Sequence, residues 1–133
     1  MSRMSPLICA VLAGVLVGAP AAYADPSASD APPQSCFQMN TLQSTRADGP
    51  TRIYLRVGVN TFYRIDLAHR CSSLPYASNG IVMTPAGGTN LICRPLDLDI
   101  KANDHGALEP CFIKSITRLS KDEAAAIPRR AKP

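Results

Sequence analysis

The sequence predicts a mainly β domain: a small antiparallel sheet or partly open barrel, with a short C-terminal helix and two disulfides. Three observations lead there. Residues 51–57 and 61–67 alternate apolar and polar side chains with period two, the mark of half-buried strands. Turn residues recur at short spacing along the rest of the chain. Four cysteines, Cys36, Cys71, Cys93 and Cys111, are spread over the same region. With 133 residues, 46% of them hydrophobic and 18% charged, the chain has the apolar share of a globular protein and room for one domain.

The chain opens with an address. Arg3 precedes an apolar stretch that includes Leu7, Ile8, Val11, Leu12, Val15, Leu16 and Val17. Gly18, Ala19 and Pro20 end it, and Ala22-Tyr23-Ala24 fits the small-x-small rule of signal peptidase. Residues 1–24 therefore read as a signal peptide cleaved after Ala24, and the protein is expected in the periplasm or secreted. The apolar run is shorter than the roughly 20 residues of a spanning helix, so no stable membrane insertion is expected after cleavage. Cys9 follows Pro6, Leu7 and Ile8 and lacks the small residue and upstream apolar region of a lipobox.

Residues 25–35, rich in Pro, Ala and Ser, read as a flexible leader, and the domain as 36–127. Residues 37–42 suit a first strand, and Arg46-Ala47-Asp48-Gly49-Pro50 is turn chemistry. Ile53, Leu55 and Val57 then alternate with Arg52, Tyr54 and Arg56, and Tyr63, Ile65 and Leu67 answer them. Both apolar sets share a face only if Gly58-Val59-Asn60 forms a three-residue loop. That register sets Val57 opposite Thr61, Leu55 opposite Tyr63 and Ile53 opposite Ile65. On the other face it pairs Arg56 with Phe62, Tyr54 with Arg64 and Arg52 with Asp66. Asn60 is the expected left-handed residue of the loop. Residues 72–80 read as a loop, 81–83 as a short strand and 85–90 as a turn. Residues 91–100 end in an alternation of Leu96, Leu98 and Ile100 against Asp97, Asp99 and Lys101. Residues 103–106 turn the chain, and 111–119 supply the last strand. Ser120 with Glu123 is a capping box that starts a helix ended by Pro128. Residues 128–133 read as a basic, mobile tail.

Four cysteines in an exported chain imply two disulfides. Three pairings are possible. Cys36–Cys111 with Cys71–Cys93 is favoured, because Cys36-Phe37 and Cys111-Phe112 open apolar segments at the two ends of the domain. No Cys-x-x-Cys is present, which argues against a thioredoxin-like centre. His69, Cys71 and His105 lack the close ligand pairs of a zinc site, so neither metal nor cofactor is expected. Asp97, Asp99, Asn103, Asp104 and Glu109 fail the EF-hand pattern, with Lys101 and Ala102 in the wrong places, and read as a solvent face and a polar turn. Gly87-Gly88 is turn chemistry, with no phosphate-loop lysine after it.

Lys and Arg number 14 against 10 Asp and Glu, and Arg129, Arg130 and Lys132 crowd the end. The folded part is then close to neutral, and no nucleic-acid partner is expected. Arg52, Tyr54, Arg56, Phe62 and Arg64 share one strand face and form the candidate interaction surface, suited to an envelope protein or an anionic or glycan ligand. A binding or interaction module of this kind is the first functional expectation. The alternatives are a small periplasmic hydrolase using His69 or His105 with Ser72 or Ser73, which has no Gly-x-Ser-x-Gly motif behind it, or an inhibitor of an envelope enzyme. Ligand identity and oligomeric state stay open.

Cys36-Phe37, then YLRVG, FYRIDLAHRCSSL, LICRPLDLDI and PCFIKSITRLS, form a pattern that covers about residues 36–127. The pattern resembles a family of small exported proteins of Gram-negative bacteria known as a domain of unknown function. The resemblance implies a four-cysteine β domain and an envelope location, and it implies no activity.

Overall fold

Period-two alternation gives a strand one face for the core, and this chain uses it in three sheets. The computed structural model describes residues 36–77 and 80–133, so the segments read as signal peptide and leader lie outside the described residues. The strands are β1 (Phe37–Gln38), β2 (Leu42–Ala47), β3 (Arg52–Val57), β4 (Thr61–Leu67), β5 (Ile81–Pro85), β6 (Leu91–Ile92), β7 (Leu98–Asp104), β8 (Ala107–Pro110) and β9 (Ile113–Arg118), followed by helix α1 (Lys121–Ala125). They pair in the orders β1-β6, β2-β3-β4-β9 and β5-β7-β8, all antiparallel, and among the described residues no sheet closes on itself.

The β3–β4 hairpin has the register that its alternation demands, from Val57 opposite Thr61 to Arg52 opposite Asp66. Its left-handed residue is Gly58, at φ 61°, and not Asn60. Glycine has no Cβ to clash there, so it takes the position that asparagine would only tolerate. On the flanks, β2 pairs with β3 through a bulge between Leu42 and Ser44, and β9 pairs with β4 through one between Asp66 and Leu67. A bulge inserts a residue that switches the facing of everything beyond it. Leu42, Thr45 and Ala47 thus oppose the core residues Val57, Leu55 and Ile53 although their spacing in sequence is irregular. The expected strand over 37–42 is two strands joined by a 3-10 turn at Met39–Thr41.

The disulfides are Cys36–Cys93 and Cys71–Cys111, which corrects the pairing favoured from the sequence. The reason lies in strand pairing. Phe37 sits opposite Ile92 in the β1–β6 ladder, which brings Cys36 to a Cα separation of 4.2 Å from Cys93. The other terminal segment is drawn elsewhere, because β9 lies against β4 and Ala68 N–H donates to the carbonyl of Phe112. Cys71 and Cys111 end up with Cα atoms 5.4 Å apart, inside the usual span of a bridge.

The third sheet sets Ile81, Met83 and Pro85 opposite Ala102, Ile100 and Leu98. Leu96, expected to share the inner face with Leu98 and Ile100, is 85% exposed, because Pro95–Asp97 is a 3-10 turn and the strand starts at Leu98. His105 and Gly106, at φ 50° and 89°, make the tight β7–β8 turn, the left-handed pair that suits a two-residue hairpin.

Ile53, Leu55, Ile65 and Ile92 are fully buried, with Phe37, Tyr63, Leu74, Ile100 and both sulfurs of Cys71 and Cys111 in the same cluster. Each buried aliphatic side chain contributes about 1.5–3 kcal/mol. The Phe37 and Tyr63 rings meet at a centroid distance of 4.9 Å, and Tyr63 Oη donates to the carbonyl of Cys36 at 3.3 Å. Burial pushes the Tyr63 hydroxyl above its ordinary pKa.

The capping box forms as read: Ser120 Oγ accepts from Glu123 N–H at 3.2 Å, and Glu123 Oε2 accepts from Ser120 N–H at 2.8 Å. The end of the chain is folded, contrary to the mobile tail expected. Arg129–Ala131 is a 3-10 turn and Ala131 is wholly buried.

Candidate functional site

Each member of the predicted interaction face has a distinct fate. Asp66 accepts from Arg52 Nε at 3.3 Å and from Arg64 Nε at 2.9 Å. Tyr54 is buried with Leu119, Ala124, Ile127 and Ala131, and Phe62 packs against this second apolar cluster. Arg56 is half-buried opposite Phe62 and Ser44. The five residues therefore share a face, as expected, but the chain beyond β9 lies over its centre. The apolar residues at 119, 124, 127 and 131 leave water by packing on this face, which is the physical reason for the cover. Arg130 Nη2 meets Asp48 Oδ1 at 3.5 Å at the end of this segment. Asp66→Arg is expected to lower the melting temperature by a few degrees, since it replaces two ion pairs of modest worth with like charges. A variant that melts with the wild type would show that Asp66 does not help to hold the strands.

The predicted imidazoles stay apart. His69 is exposed, and His105 Nδ1 lies 2.6 Å from Asp104 Oδ1 in the β7–β8 turn. Ser72 and Ser73 face a carboxylate instead: their N–H groups donate to Glu109 at 3.0 and 2.6 Å. The acidic residues weighed as calcium ligands are spread over separate tasks. Asp97 accepts from the N–H groups of Cys93 and Arg94 at 3.0 and 2.9 Å, Asp99 lies 3.9 Å from Lys101, and Asn103 Oδ1 accepts from Gly106 N–H at 3.1 Å. No group of three or more metal-ligating side chains occurs among the described residues.

Those carboxylates are tuned by the backbone. The Ser73 N–H, aided by its hydroxyl and by the Ser72 N–H, holds Glu109 below the ordinary 4.5. The Cys93 N–H does the same for Asp97, and the Ser120 N–H for Glu123. Because the folded values lie below the unfolded ones, the unfolded chain takes up protons first on acidification. The stability these bonds add is present above the ordinary carboxylate range and is lost as pH falls through it. Urea midpoints are expected to drop between about pH 5 and pH 3, and less steeply in Glu109→Gln. An identical slope in that variant would remove Glu109 from the acid response.

Sequence reasoning missed a cleft of about 440 Å³ between the β3–β4 turn, the end of β9 and α1. Phe62, Leu119, Ala124 and Ala125 supply its apolar surface. Arg118, Lys121 and Lys132 supply three cations, and Asn60, Thr61 and Ser120 add polar groups. Among the described residues, no acidic side chain lines it. Among the described residues, these three cations form no ion pair, whereas Arg52, Arg64, Arg94 and Arg130 each do. The arrangement can hold an anion beside an apolar group. Its signal in the sequence was divided, with Arg118 in a strand, Lys121 in the capping box and Lys132 in the presumed tail. A second cleft, of about 360 Å³, lies beside Arg46, Tyr76 and Arg130, and Arg130 there is already engaged with Asp48.

Among the described residues, no helix is long and apolar enough to cross a membrane. The model of a family described as a family of unknown function (DUF6491) matches residues 2–132. No curated protein and no solved structure matches the chain.

Proposed function

The chain belongs to that family of unknown function, and from its own residues we propose an exported, disulfide-stapled binding module that takes an anionic ligand in the cleft beside α1. The observation that carries this reading is the cleft's charge: among the described residues, three cations without ion pairs and no acid surround an apolar floor. Cationic side chains left unpaired around a concavity raise the local concentration of anions and orient them. The signal-like start and the two disulfides support export, since bridges persist in oxidising compartments. The hydrolase alternative has less behind it, with His69 exposed and His105 turned to Asp104.

Thermal melts with added citrate, octanoate or phosphate test the binding reading, because a ligand of the folded state raises the melting temperature by mass action. At least one anion is expected to stabilise the wild type, and to stabilise Arg70→Glu equally. The double variant Arg118→Glu/Lys121→Glu is expected to lose the effect. Equal loss in Arg70→Glu would reduce the effect to net charge and overturn the cleft as the site.

A further inference from the structure

We infer that the ligand of this cleft is a small anionic amphiphile, a monocarboxylate with a medium-length alkyl chain. The inference rests on the anion-binding reading above and names its ligand class. Size argues first. A concavity of about 440 Å³ falls within the range of small-molecule sites, about 300–1,000 Å³. Chemistry argues second. Arg118 and Lys121 flank Leu119 and Ser120 in sequence, so the apolar floor and the cationic rim come from one short stretch of chain. Ala124 and Ala125 follow Lys121 by three and four positions and line the same cleft from α1, the spacing that puts helix residues on one face. Of the two, Ala125 is exposed and presents only a methyl group to the cleft. Phe62 completes the floor from the hairpin. A fully polar anion would leave the half-buried Phe62 and the exposed Ala125 in water. A neutral apolar ligand would leave three cations unanswered. A carboxylate on an alkyl chain satisfies both parts.

The experiment is a calorimetric titration of the full exported chain with acetate, hexanoate and decanoate, and with decyltrimethylammonium as the tail with the opposite head. Each fully buried methylene tightens binding about fourfold. In an open cleft, decanoate is expected to bind at least about tenfold more tightly than hexanoate. Lys121→Glu is expected to weaken decanoate at least about fivefold through the head group. Ala125→Trp, a change at an exposed helix position that keeps every charge, is expected to abolish decanoate binding by filling the apolar floor. Equal affinities for the three carboxylates would overturn the amphiphile and leave the anion site standing. Equal binding of decyltrimethylammonium would also overturn it. Binding of no anion at all would overturn both readings.

Discussion

Replacing Cys71 and Cys111 together with alanine is expected to lower the melting temperature by on the order of 20 °C. The bridge joins residues 40 apart in sequence. A loop of that length corresponds to about 4 kcal/mol of lost chain entropy in the unfolded state. Both residues also lie in the main core, at 2% and 5% exposure, so the variant loses packed sulfur as well as the cross-link. Circular dichroism melts without reductant measure the effect, and alkylation of the same variant tests the connectivity. With Cys36–Cys93 intact, neither of those thiols reacts. Two reactive thiols at Cys36 and Cys93 would mean that each had lost its partner, and the observed pairing would be wrong.

Ile65→Ala is expected to lose about 3 kcal/mol, which in a domain of this size moves the melting temperature by more than about 10 °C. Ile65 is fully buried in the second of the four strands counted from β9, with Ile53 on one side and Ile116 on the other. Deleting its outer carbons leaves a cavity that both neighbours border. Val59, in the turn of the same hairpin, is 82% exposed, and Val59→Ala should stay within about 0.5 kcal/mol. The pair separates burial from hairpin propensity. Similar small effects at both positions would mean that the hairpin face is not the core.

Local chemistry made part of this protein legible in one dimension. The β3–β4 register could be read because both strands alternate without interruption and only one loop length puts both apolar sets on a single face. The capping box could be read because its two hydrogen bonds join residues three apart. The flanking strands resisted the same treatment, since an extra residue between Leu42 and Ser44 in β2 and another between Ile113 and Ser115 in β9 break the period on which the reading depends. Leu96 misled for a related reason. The alternation in sequence includes it, but Pro95 and the Asp97 side chain close a 3-10 turn there instead. The candidate face consists of five residues that are neighbours in the β3–β4 ladder. Its exposure was misjudged because the segment that covers Tyr54 lies more than sixty residues further along the chain.

The sequence by itself determined a mainly β domain with two disulfides, the central hairpin and its register, and the start of α1. All of these follow from residues close together in the chain, or from composition. Tertiary structure alone decided which cysteines meet, because β1 is drawn to β6 and β9 to β4 by long-range pairing. It also decided that the C-terminal segment folds back over the hairpin, and so created the cleft where Arg118, Lys121 and Lys132 converge. Convergence of that kind depends on contacts between distant segments, and no local pattern of side chains encodes them.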